Sequence, residues 1–221
     1  MSNDPTRLQG VLAAFDQLNR TEEATDAKGR TRARLLRAAT RLFQKNGYRK
    51  TSVDDVAREA GVAKGTVYVH FKNKSELLFH AIAEEKKQLV APFRALFSEP
   101  LDPRTRLQRY FELMFNSIPL APLGSRLMSG DREMLTFLEE LPEALRAQVL
   151  RTQADALQAL LTGVGEFDRL SPAERTARMR AVLGILYSAG ALLEERVRGG
   201  LSIEEYARQL AKILVDGIGA P

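Results

Sequence analysis

The 221-residue chain is 44% apolar and 28% charged, the balance of an ordinary soluble globular protein, with length for one large domain or two modest ones. It contains no cysteine, which excludes a disulfide framework, thiolate metal sites and a cysteine nucleophile. The net charge of +5 is unevenly placed: residues 28–75 carry thirteen Lys/Arg against Asp54, Asp55 and Glu59, while the segments on either side are net acidic. Such a block suits a polyanion such as nucleic acid, because each neutralised phosphate releases counterions; otherwise it is a solvated basic face.

Along the chain, Leu8, Val11, Leu12 and Phe15 have the spacing of a short amphipathic helix, or belong to a frayed tail. KGRTRAR at 28–34 reads as a basic arm suited to the minor groove. A helix is predicted over 31–46 from Leu35, Ala38, Ala39, Leu42 and Phe43, with Gly47 as its stop. Ser52 and Asp55 form a capping pair for a second, two-turn helix that Gly61 closes. The next segment, TVYVHF, is strand-like in composition, yet no second strand-like segment is available to pair with it. Read as a short helix after a tight turn, it turns Val67 and Phe71 inward, with Thr66, Tyr68 and His70 on other faces.

Asn73 and Glu76 cap a longer helix that bends or ends near Pro92. Further helices are predicted at 104–117, 126–139, 143–162, 173–197 and 203–217. The longest apolar-looking run, at 181–193, has thirteen residues, too few to cross a bilayer. The N-terminus lacks a secretory pattern, so a cytoplasmic protein without a membrane partner is expected.

Two short helices joined by a glycine turn make a helix-turn-helix whose second helix enters the DNA major groove. Lys64 suits a guanine edge or a phosphate, Gly65 permits close approach, and Tyr68 and His70 can donate to phosphate oxygens. Tyr68 is equally suited to packing against Phe43 or Phe71. Through AATRLFQKNGY and TSVDDVAREAGVAKGTVYVHFKNKSEL, residues 31–78 resemble the DNA-binding domain of the tetracycline-repressor (TetR) family of bacterial transcription regulators. The resemblance implies an all-α homodimer. Its N-terminal helix-turn-helix domain would span 29–75, after an extension at 1–28. A helical effector-binding and dimerisation domain would span 76–221. Carried over, it implies DNA contacts by Thr51, Ser52, Lys64, Gly65, Thr66, Tyr68, His70 and Lys74. Ala63 departs from the family, which often has a small hydroxyl residue there.

In the C-terminal half, Phe97, Phe111, Met114, Phe115, Phe137 and Tyr187 are core by spacing alone; the resemblance makes them candidates to surround an effector cavity. Few charges fall on the inner faces, so the unknown small-molecule effector is expected to be apolar or weakly polar. Leu186, Gly190 and Leu193, with Ile203, Tyr206, Leu210 and Ile213, offer two stripes for a four-helix dimer interface. His70 and His80 lack metal-ligand spacing, and no phosphate loop, nucleophile elbow or metal triad occurs, so no enzyme, cofactor or metal is expected. The function expected is a ligand-responsive regulator, a repressor binding a pseudo-palindromic operator in double-stranded DNA as a homodimer and released by its effector. An effector-independent, architectural or constitutive DNA-binding protein is the alternative, and the direction of regulation stays open.

Overall fold

Asp26 sets the start of the first helix by accepting the Gly29 N–H at 2.7 Å. The structure is a computed structural model that describes residues 26–218; the amphipathic leader at 8–15 lies outside them. Helix α1 (Ala27–Lys50) therefore begins before Thr31, and residues 28–34, expected as an arm, are its first turns. The helical run breaks at Gly47, where φ of 82° suits a residue without a Cβ. Helix α2 (Val53–Glu59) carries the full Ser52–Asp55 capping box. It ends in a Schellman motif, with Gly61 N–H donating to Arg58 O and Val62 N–H to Ala57 O. Helix α3 (Lys64–His70) follows, so the strand-like hexapeptide is helical up to His70.

Helix α4 (Lys74–Ser98) passes through Pro92 without ending there. Pro92 cannot donate to the Gln88 carbonyl and crowds it, but both residues lie on the exposed face, where the helix absorbs this without breaking. Then come α5 (Pro103–Ser117), a 3₁₀ turn (Ile118–Leu120), α6 (Pro122–Met128), α7 (Arg132–Glu140), α8 (Glu143–Leu161) and α9 (Gly165–Arg169). The chain continues through α10 (Pro172–Tyr187), α11 (Ala189–Leu192), α12 (Glu195–Arg198) and α13 (Ile203–Ile218); no strand occurs among the described residues.

Two expected helices are broken. The 126–139 helix divides because Gly130 takes a positive φ and Asp131 recaps the chain, accepting from Glu133 N–H at 2.9 Å. The 173–197 helix stops at Ser188, whose hydroxyl donates back to Gly184 O at 3.0 Å, and again at Glu194, where the backbone is extended.

Side chains gather into two cores. The first takes Leu35, Ala39 and Phe43 from α1, Val56 from α2, Val67 from α3 and Leu77, Leu78 and Ala81 from α4. It also recruits Leu123 from α6 and Met134 and Phe137 from α7. The second is built from Leu89, Phe93 and Phe97 of α4, Leu107, Phe111 and Phe115 of α5, and Ala207, Ala211 and Val215 of α13. Helix α4 is thus a shared spine, its first half in one core and its second half in the other.

Candidate nucleic-acid interface and ligand cavity

The α2–α3 unit is held by the first core and presents one face of α3 outward. Val67 and Phe71 are buried, while Lys64, Gly65, Tyr68 (49% exposed) and Val69 (70% exposed) stand in solvent. These positions recur at i, i+1, i+4 and i+5, one stripe of a helix. Thr66 and His70 flank it, partly buried. Val69 was missed by sequence reasoning because a valine reads as core; its position four residues after exposed Gly65 is the signal that identifies it. Its methyls suit contact with a thymine C5-methyl. Ala63 stands at the N-cap of α3 with no side-chain cap, leaving N–H groups at that helix start open.

The charges around this face are arranged by tertiary contacts. Lys64 pairs with Asp54 of α2 at 2.8 Å, both exposed, and this bond and charge hold the lysine pKa above its usual value. His70 is pushed below the ordinary histidine range, first by burial and then by Lys28 and Arg32 from the first turns of α1. The residues expected as an arm therefore bring their charge beside α3 as helix. Ser52 is exposed at the start of α2, its hydroxyl donating to Asp55 at 2.6 Å.

One expected contact is corrected, and another is engaged within the chain. Thr51 is 1% exposed, and its hydroxyl donates to the Gly47 carbonyl at 2.8 Å and the Leu42 carbonyl at 3.2 Å. It closes the carbonyl end of α1 instead of facing phosphate. Lys74 donates to the Tyr48 carbonyl at 3.0 Å with its ammonium 4.2 Å from the Tyr48 ring centroid, so it clamps Tyr48.

Tyr48 ties this unit to α7. Its hydroxyl donates to the Glu140 carboxylate, its ring meets Phe137 edge-on at 5.8 Å, and burial together with Glu140 raises its pKa. Phe137, expected at an effector cavity, is therefore part of the first core. A second tie runs through Glu85 on α4. Its carboxylate accepts from Gln44 of α1 at 2.6 Å, and from the Leu123 and Gly124 N–H groups at 2.9 and 3.1 Å. Those amides open α6 and have no partners within the helix, so Glu85 acts as its cap.

On the other side of α6 lies a cavity of about 140 Å³. Helix α4 lines it with Lys86, Leu89 and Phe93, and α5 with Tyr110, Met114 and Phe115. Ala121, Gly124, Ser125 and Met128 close it along α6, and Leu186, Tyr187 and Gly190 close it from α10 and α11. Of the expected effector residues, Met114, Phe115 and Tyr187 line the space, whereas Phe97 and Phe111 are packed behind it. Tyr110 also lines the space, and burial pushes its hydroxyl up to about 12.

The expected dimer stripe is divided. Leu186 and Leu193 are buried in this chain's own core, and Gly190 faces the cavity, because the break at Ser188 turns the segment inward. Ile203, Tyr206 and Leu210 are partly buried against the second core; Ile213 is 67% exposed.

Comparison with known proteins gives a consistent picture. A profile described as "Bacterial regulatory proteins, tetR family" matches residues 35–81. The HTH-type transcriptional regulator TtgR of Pseudomonas putida is 30% identical over 166 residues, covering 72% of this chain and 77% of that protein. The HTH-type transcriptional repressor KstR2 of Rhodococcus jostii is 24% identical over 203 residues, covering 89% and 95%. Among solved structures, the transcriptional regulator FadR of Bacillus subtilis, in complex with stearoyl-CoA, aligns with a TM-score of 0.62 at 18% identity. That alignment covers 86% of this chain and 99% of the other.

Proposed function

This chain belongs to the tetR family of bacterial regulatory proteins, and from that premise we propose that it is a cytoplasmic, ligand-responsive repressor. In this reading residues 29–75 read DNA and residues 76–221 bind the effector and dimerise, with α4 running between them. Two copies bind a pseudo-palindromic operator, placing their α3 helices in major grooves about one DNA turn apart. Ser52, Lys64, Gly65, Thr66, Tyr68, Val69 and His70 form the DNA face. The subunits meet along α10 and α13, where Ile213 and Tyr187 remain exposed apolar groups.

The observation that carries the ligand response is the double role of α6. One side lines the cavity through Gly124, Ser125 and Met128. Its other contacts, Leu123 and the two amides held by Glu85, belong to the first core and reach Gln44 of α1. A ligand that displaces α6 therefore also shifts the unit carrying α3. Binding favours the spacing of α3 helices that no longer fits the operator.

Selection of bound DNA from a random pool, with the full chain, tests the reading. An enriched two-fold site with half-sites about one turn apart is expected. Recovery of no enriched site at low salt would overturn it, and a monomer in sedimentation would overturn the dimer.

A further inference from the structure

Lys86 is a cation in the wall of a largely apolar cavity, whose lining also includes Tyr110, Ser117, Ser125 and Tyr187. Among the described residues its ammonium makes no hydrogen bond and no ion pair. Its neighbour Glu85 exerts a Coulombic pull, but that carboxylate is occupied by Gln44 and by the Leu123 and Gly124 amides. Burial accordingly lowers the lysine pKa, with Glu85 acting in the opposite direction. Lys86 is partly buried, its stem against α6 and its ammonium without a protein partner, and a half-desolvated cation of this kind is favourably completed by an anion.

The rest of the cavity specifies what that anion is attached to. Lys86, Leu89 and Phe93 lie at i, i+3 and i+7 on one face of α4, which sets Phe93 about 10 Å along the helix from the lysine. Gly124 makes room for the lysine stem: a Cβ built there would stand 3.4 Å from Lys86 Cε. Beyond this end the wall is Leu89, Phe93, Met114 and Phe115. The volume of about 140 Å³ is close to that of an engineered apolar cavity that takes up benzene, about 150 Å³.

We propose that the cavity binds a small amphipathic carboxylate, its acid group paired with Lys86 and its single ring or short alkyl chain running along α4 towards Phe93. The assignment rests on the reading of this chain as ligand-responsive and specifies the ligand class for that site. It also revises the expectation of an apolar or weakly polar effector.

Isothermal calorimetry on the full chain tests it with isosteric pairs: 4-methylbenzoate against 4-methylbenzamide, and hexanoate against hexanamide. In the wild type the carboxylate of one or both pairs binds about 10- to 100-fold tighter than its amide, the range of a charge-assisted bond. In Lys86→Met the ratio falls to within about threefold while amide affinity is kept, and the variant melts no lower than wild type. Lys86→Gln serves as the second variant if Lys86→Met does not fold. Equal affinities in the wild type, a preference surviving in both variants, or no binding by any of the four probes would overturn the assignment. Release of the selected operator by an amide as readily as by its carboxylate would also overturn it, yet leave the ligand-responsive reading standing. Loss of that reading would instead show as no enriched operator, whatever the calorimetry gives.

Discussion

The backbone N–H of Tyr48 donates to the Glu133 carboxylate at 2.9 Å, joining the end of α1 to α7 across 85 residues of sequence. Gly47 makes this possible. Its positive φ turns the chain out of α1, and a Cβ built there would stand 2.4 Å from Glu133 Oε2. The junction between the DNA-facing helices and α7 is thus a short, crowded contact.

Gly47→Ala tests that junction. A non-glycine residue at this φ and ψ costs about 1–3 kcal/mol, and displacing Glu133 leaves the Tyr48 N–H without its acceptor, about 1 kcal/mol more. A loss of about 2–4 kcal/mol in urea-derived stability is expected. Equal stability would mean that Glu133 is not held there.

Asp54→Asn should strengthen DNA binding. Asp54 holds Lys64 in an exposed ion pair, which competes with pairing of that lysine to a phosphate. Replacement frees one cation, so affinity rises about 3- to 10-fold at low salt. The slope of log K against log salt steepens by up to about one unit. Filter binding across a salt series reads both.

Val69→Ala separates reading of bases from holding of backbone. Because Val69 is largely exposed, its truncation leaves the melting temperature unchanged. Affinity for the selected operator falls about 3- to 10-fold, and preference relaxes at one thymine-containing position. Unchanged specificity would place Val69 outside the groove.

Glu85 gives the chain a pH signature. Burial raises its pKa above the ordinary 4.5, outweighing its hydrogen bonds with Gln44, Gly124 and Leu123. With the folded value above the unfolded one, the native state binds more protons between the two, so this group's contribution falls as pH rises through that window. Urea midpoints of wild type and Glu85→Gln, compared upward from pH 4, should show this decline in the wild type only. A difference between them that is flat with pH would refute the direction.

Much of the DNA-facing unit was legible in the sequence because its signals are local. The Ser52–Asp55 box, Gly47 and Gly61 as stops, and Asn73 as a cap each act within a few residues of where they stand. The Asp26 cap was overlooked, although it is equally local, and so was the Ser129–Gly130–Asp131 signal that divides α6 from α7. Thr51 was misassigned for a different reason. It is a polar residue at the edge of a DNA-facing unit, and only burial against Gly47 and Leu42 shows that its one donor is already in use.

The sequence by itself determined the helical class, the helix-turn-helix and the family resemblance, since caps, turns and the apolar period act within a few residues. It did not determine which apolar stripe covers which. Phe137 and Phe115 look alike in sequence, yet one joins the DNA-facing core and the other lines a cavity. Lys86 looks like any lysine on an amphipathic helix until Gly124 of α6 comes to lie against its stem beside the cavity. Periodicity reports that a face is apolar; only the packed chain supplies the neighbour, because burial, unpaired charge and cavity shape belong to contacts between distant segments.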